Sequence, residues 1–212
     1  MMRRAALALA AFVAACHAQT PGPEIAVNTP AFAYPAADLA RGARLAQTCL
    51  GCHGEGASLD DPVAMRAPRL RHQRPGIIFS ALLDYRNRAR AADIMGPIAS
   101  AMSEQDMRDV SAYLAGPRIR PEAVVITDPL AHARAVESCG ACHGEAGLGV
   151  MEGYPLIAGQ SPAYLSRALA EYRSGVRYNS TMRAVLSQVD LAHDPGLIAY
   201  FSAQPGLERP SR

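Results

Sequence analysis

The pentapeptide Cys49-Leu50-Gly51-Cys52-His53 recurs 90 residues later as Cys139-Gly140-Ala141-Cys142-His143. Both have the Cys-x-x-Cys-His spacing of covalent c-type haem attachment. Two thiols stand ready to add across the vinyl groups, and the adjoining histidine reaches the iron from one side. A Cys-x-x-Cys pair also occurs as half a zinc site or as a dithiol redox pair. A zinc site gives no reason for a histidine directly after both pairs. No βαβ pattern surrounds either motif, as a thioredoxin-like pair would need. Four of the five cysteines are consumed in this way. Two covalently bound haems c are therefore expected, with electron transfer as the leading functional class.

The rest of the chain follows the same duplication. Asp38 and Asp128 keep the offset of 90. Past the motifs the offset becomes 87 and pairs Pro68 with Pro155, Gln73 with Gln160, Leu82 with Leu169 and Tyr85 with Tyr172. Arg90 with Arg177, Met95 with Met182 and Tyr113 with Tyr200 continue the series. A single three-residue length difference explains the change, so the chain reads as two copies of one domain. Each copy is mostly helical by its apolar spacing. Helices are expected over Asp38–Gln47, Pro75–Ala89 and from Ser103 to Gly116-Pro117, and over Asp128–Ser138, Ser161–Ser174 and Pro195–Ser202. Val124–Ile126 is a candidate extended stretch. The fold class is all-α, and a porphyrin would supply apolar interior that a domain of this size otherwise lacks.

Arg3-Arg4, a short apolar run over Ala5–Ala15 and Cys16 read as an export signal, too short to span a bilayer. Val13-Ala14-Ala15-Cys16 resembles a bacterial lipobox, with cleavage before Cys16 and lipid on its sulfur. Ordinary cleavage after Cys16-His17-Ala18 is the competing reading, and both export the chain. The expected layout is a signal peptide at 1–15, a flexible tether at 16–36, domains at 37–118 and 128–205, a linker at 119–127 and a tail at 206–212. The net charge of +2, carried with arginine at every Lys/Arg position, does not suggest a nucleic-acid partner.

His53 and His143 each fill one axial position of an iron. The duplication filters the candidates for the other. Met65, Met102 and Met107 shift onto Glu152, Val189 and Asp194, and Met151 shifts back onto Ala64. Met95 and Met182 map onto each other, which makes them the expected distal ligands, both read as lying in loops. His72, His132 and His193 face Gly159, Gly42 and Asp106 and read as surface or hydrogen-bonding residues. Pro68 and Pro155 are candidates to offer a carbonyl to the second ring nitrogen of each proximal histidine. Arg90, Arg177, Gln73 and Gln160 are candidates to hold haem propionates, against a plain reading as exposed helix-end polar groups. Tyr85, Tyr172, Tyr113 and Tyr200 read as haem-packing core.

The run Tyr154-Pro155-Leu156-Ile157-Ala158-Gly159-Gln160-Ser161-Pro162-Ala163-Tyr164-Leu165, then Tyr172-Arg173-Ser174-Gly175-Val176-Arg177, resembles the dihaem cytochrome c4 family. Met95 through Ala99, Met102-Ser103-Glu104-Gln105-Asp106 and Ala112-Tyr113-Leu114 carry the likeness in the first copy. The resemblance implies two cytochrome c folds related by pseudo-twofold symmetry. It also implies a periplasmic, often membrane-associated electron carrier whose partners are dehydrogenases, oxidases or other cytochromes. Leu70-Arg71-His72-Gln73 departs from the family pattern, and Arg66, Arg69, Arg71 and Arg74 make that stretch basic. Residues 31–120 hold 12 Arg and 9 acids, giving +3, and residues 121–212 hold 7 Arg and 9 acids, giving −2. That asymmetry reads either as a docking dipole or as an ordinary solvated face. The alternative function is a dihaem redox enzyme, a peroxidase or sulfur-compound oxidase. It needs one open or unusually ligated iron, for instance with His72 in place of Met95.

Overall fold

The computed structural model describes residues 37–54, 67–90, 92–117, 123–189 and 196–208, so Cys16, the signal, Met65, Arg66 and His193 lie outside the described residues. All regular structure within them is helical. The first copy supplies α1 (Leu39–Leu45), α2 (Leu50–His53), α3 (Pro75–Arg86), α4 (Met95–Ser100) and α5 (Glu104–Ala115). The second supplies α6 (Pro129–Ala135), α7 (Ala141–His143), α8 (Pro162–Ser174), α9 (Ser180–Leu186) and α10 (Gly196–Ala203). None of the described helices is long and apolar enough to cross a membrane.

Local chemistry sets the helix starts. Asp38 and Asp128 accept backbone N–H groups at the heads of α1 and α6. Ser103 and Asp106 form a reciprocal capping box on α5. Pro75 and Pro162 sit in the first turns of α3 and α8, where the missing N–H costs nothing. The duplication carries into packing. In the first copy α1 and α3 pack on α5 and α4 on α3; in the second α6 and α8 pack on α10 and α9 on α8. Each copy has its own apolar cluster, built on Leu50, Ile78, Phe79, Leu82, Met107 and Val110 in the first and on Leu165, Leu197, Tyr200 and Phe201 in the second.

Two details differ from the sequence reading. Met95 and Met182 sit not in loops but in the first turns of α4 and α9. Val124–Ile126 forms no strand; Gln204 holds it instead, taking the Val125 N–H at 2.9 Å and donating to the Val125 carbonyl at 2.7 Å.

The two copies meet through contacts that obey the 87-residue offset. Gln73 donates to the Leu156 carbonyl and accepts the Leu156 N–H, both at 3.0 Å. Gln160 does the same to Arg69, at 3.1 and 2.8 Å. Since Leu156 is the counterpart of Arg69, these two clasps are one interaction seen twice, as a pseudo-twofold axis requires. On that axis Arg90 and Arg177, themselves counterparts, form an isolated antiparallel bridge. Residues 206–208, expected as a tail, are engaged: Leu207 is buried and donates to Ala158, while Glu208 pairs antiparallel with Arg71.

Candidate functional site

An apolar cavity of about 690 Å³ reaches into both copies and is lined by Cys49, Cys52 and His53 of the first and Cys139, Cys142 and His143 of the second. A short 3₁₀ turn (Ala46–Thr48) delivers the first motif and a π-helical turn (Val136–Gly140) the second. None of the four motif cysteines is in a disulfide. Among the described residues no group of three or more His, Cys, Asp or Glu converges to hold a metal ion.

Both histidines are buried, and each is oriented by one backbone oxygen. The His53 Nδ1 lies 2.9 Å from the Pro68 carbonyl and the His143 Nδ1 lies 3.0 Å from that of Pro155. A carbonyl can only accept, so Nδ1 carries the proton and Nε2 is the basic nitrogen, the form that ligates iron. Burial holds the His143 pKa below its ordinary value, outweighing the opposing effect of the Pro155 bond, and so favours the neutral ring.

Met95 and Met182 both line the cavity. Met102, which the repeat filter set aside, lines it too, with Val189 at the matching place in the other copy. His72 does not line it. Its Nδ1 is 2.6 Å from the Pro117 carbonyl and its Nε2 is 3.5 Å from Glu208. His132 is spent on Glu145 at 2.8 Å.

The polar residues divide. Gln73 and Gln160 border the cavity, but their amides clasp the backbone of the opposite copy, a role quite unlike the expected propionate contact. Their partners lie 83 and 91 residues away, beyond any local signal. Arg90 and Arg177 lie on the axis beside the cavity. Each guanidinium stacks on the tyrosine of its own copy, Arg90 at 4.6 Å from the Tyr85 ring and Arg177 at 4.5 Å from Tyr172. Both donate to the Tyr164 hydroxyl at 3.4 Å. Arg90 is only 5% exposed, and among the described residues no carboxylate is within ion-pair distance of it; Glu171, also in the cavity lining, acts on it from farther away. A buried cation without an anion is costly, and the cavity beside it is where an acidic ligand would answer that charge. Tyr85 and Tyr172 line the cavity, whereas Tyr113 and Tyr200 do not: they fill helix contacts, against Gly42 and His132 respectively. Tyr164 carries no mark of the duplication, since its counterpart is Ile77; its sequence signal is its place in the run that resembles the family.

Two arginines of the basic stretch, Arg69 and Arg74, are likewise spent on the other copy. Arg69 donates to the Gly159 carbonyl at 2.7 Å. Arg74 donates to the Tyr154 carbonyl and to that of Gly149 at 3.3 Å, and lies 3.7 Å from Glu152. These arginines tie the two copies together.

The thiol pairs, the oriented histidines, the apolar walls and the buried Arg90 guanidinium without an ion-pair partner among the described residues fit a haem in each half. The cytochrome c family profile matches residues 39–116. The chain is 35% identical to the thiosulfate dehydrogenase electron acceptor of Stutzerimonas stutzeri over 63% of its own length and 67% of that protein. It is 27% identical to cytochrome c4 of Pseudomonas aeruginosa, over 76% of this chain and 87% of the relative. The chain belongs to the dihaem cytochrome c4 family. The structure of reduced cytochrome c4 from Pseudomonas stutzeri superposes with a TM-score of 0.64 at 22% identity, covering 80% of this chain and all of the other, and so shares its two-domain fold. The protein is a periplasmic electron-transfer protein with two covalently bound haems c and redox proteins as partners.

Proposed function

We propose that this cytochrome is a shuttle whose two irons are both six-coordinate, with His53 and Met95 on one and His143 and Met182 on the other. The observation that carries this reading is the shared cavity: in each half a histidine fixed by a proline carbonyl and the one methionine conserved by the duplication line the same space. Bound haem supplies one-electron chemistry, and methionine ligation raises its potential. The chain's own part is to hold the proximal ring in one tautomer, present sulfur from the first turns of α4 and α9, and exclude water with apolar walls. Arg90 and Arg177 serve as the partners of the propionates in this reading. His72 stands outside the cavity, which favours methionine over histidine at the first iron. The near-infrared sulfur-to-iron band of the ferric holoprotein, quantified per haem, tests the assignment. A band accounting for two haems is expected; a band for one or none overturns it.

The electron donor in this reading is a periplasmic dehydrogenase, with thiosulfate dehydrogenase the first to try, because a relative at 35% identity is named as its acceptor. Cys16 serves as a lipid anchor in the same reading. Membrane fractionation with mass analysis of the mature N-terminus is expected to find diacylglyceryl-Cys16, and an unmodified N-terminus beyond residue 16 excludes it.

A further inference from the structure

The Gln73/Gln160 clasps and the Arg90/Arg177 bridge are duplicated across the pseudo-twofold axis, but the hydroxyl that joins the two arginines is not. Arg90 and Arg177 each approach from their own copy, and both donate to one hydroxyl, that of Tyr164. The counterpart position holds Ile77, so the axis carries one phenol rather than two. Tyr164 is half-buried, lines the shared cavity, and its oxygen accepts from both guanidiniums. Its own hydrogen has no acceptor among the described residues. An enclosed hydroxyl with both approaches to its oxygen taken has one use left, as a donor, and beside a cavity flanked by two guanidiniums the fitting acceptor is a carboxylate.

We propose that Tyr164 bridges the two haem pockets: tied to one guanidinium from each half, its hydroxyl would serve as a donor to a haem propionate of the holoprotein, so that a charge change at either iron is felt at the other. The inference rests on the reading of Arg90 and Arg177 as propionate partners. Tyr164 is a positioning residue here, because it acts on the irons only through the carboxylates. A donor withdrawn from a propionate leaves that group more negative and favours the ferric state, and the shared guanidiniums transmit the change to both sides. The other charged or titratable groups around the phenol are Arg167 on its own helix, 5.7 Å from the ring, Glu171, which pairs with Arg167 at 3.3 Å and lines the cavity, and the Tyr85 and Tyr172 phenols. Burial raises the pKa of Tyr164, but the two guanidiniums outweigh it, and the net shift is downward.

The test is spectroelectrochemical titration of the Tyr164→Phe holoprotein, with resonance Raman observation of the propionate bending bands. Tyr164→Phe is expected to lower both midpoint potentials and shift a propionate band, with two haems per chain and the near-infrared band retained. Tyr113→Phe, away from the cavity, is the control. If Arg177→Gln moves the potentials while Tyr164→Phe moves neither or only one, the bridge is wrong and the arginine reading survives. If neither variant moves them, both fall. Should Tyr164→Phe not take up two haems, 3-fluorotyrosine at position 164 preserves the hydroxyl. Its fluorine resonance is then expected to titrate at higher pH in the diferrous than in the diferric protein, and identical titrations overturn the bridge.

Discussion

In the first half α1 closes on α5 through a glycine and a carboxylate; in the second half α6 meets α10 through aromatic rings. A Cβ on Gly42 would lie 2.2 Å from the Asp109 carbonyl oxygen, so the two helices touch backbone to backbone. Beside that contact the fully buried Asp109 carboxylate accepts from Arg41 at 2.6 Å, Gln105 at 2.8 Å and the Asp38 N–H at 3.0 Å. The matching positions of the second half hold His132 and Gly196. There His132 and Tyr200 stack with centroids 5.4 Å apart, Tyr200 meets Phe201 at 5.1 Å, and the Tyr200 hydroxyl donates to the Glu145 carbonyl. One helix pairing thus tolerates two unlike chemistries. Between the halves the two kinds of position coexist: Gln73/Gln160 and Arg90/Arg177 keep their residues, because each must fit its own counterpart as well as its neighbours, whereas Arg69, Arg74 and Tyr164 match Leu156, Ser161 and Ile77.

The comparison breaks most sharply at Asp109. Asp109→Ala strands the Asp38 N–H and the Gln105 amide and releases Arg41, an expected loss of about 2–4 kcal/mol. The loss should fall on the first half, since Gly196 occupies the place in the second. Amide exchange in the holoprotein reads this: α5 should exchange faster and α10 should be unchanged, and equal acceleration of both would show that the brace serves the whole molecule. Acid should find the same weakness. Burial raises the Asp109 pKa, but the bonds from Asp38, Arg41 and Gln105 prevail and hold it below the ordinary carboxylate range, while Ser103 lowers Asp106. A folded pKa below the unfolded one gives stability that is complete above about pH 4 and lost as pH falls through the folded values. Below pH ~4, then, α1 and α5 should open before α6 and α10.

Next in size is Gly159, at φ +68°, where an added Cβ would sit 3.0 Å from both the Leu207 amide nitrogen and its carbonyl oxygen. Gly159→Ala is expected to cost about 2–3 kcal/mol, from the left-handed backbone and the clash together. Denaturant unfolding measures this, and a loss below ~0.5 kcal/mol would mean the 206–208 strap yields freely.

The haem motifs, the duplication and the main helices were legible because their signals are local or repeat at a fixed spacing. The short helices holding Met95 and Met182 were not: Gly96 and Pro97 argue against a helix, although a proline in the first turn is harmless. The two tyrosine pairs were indistinguishable by periodicity, since both recur at offset 87, yet Tyr85/Tyr172 line the cavity and Tyr113/Tyr200 do not. Arg69 and Arg74 read only as part of a basic stretch, because nothing in a sequence says that their partners are the carbonyls of the other copy. What pattern reading lacked throughout was the contact between halves, whose members are far apart in the chain and polar on both sides.

The smallest expected effect is at the counterpart of Gly159. His72 adopts φ +71°, nearly the glycine's +68°, so the first half places a side chain where the second needs none. That conformation costs an L-residue about 1–2 kcal/mol. The ring offsets part of the cost through its 2.6 Å contact with the Pro117 carbonyl and its approach to Glu208. His72→Gly removes strain and bond together, and the net change should be within about 1 kcal/mol. His72→Ala keeps the strain and loses the bond, so it should be the less stable variant by roughly 1 kcal/mol. Alanine is ordinarily the better residue, and reversal of that order in urea unfolding is therefore diagnostic. If alanine proves equal or better, the left-handed backbone at position 72 is not held by the fold, and the two halves differ there in conformation as well as in side chain.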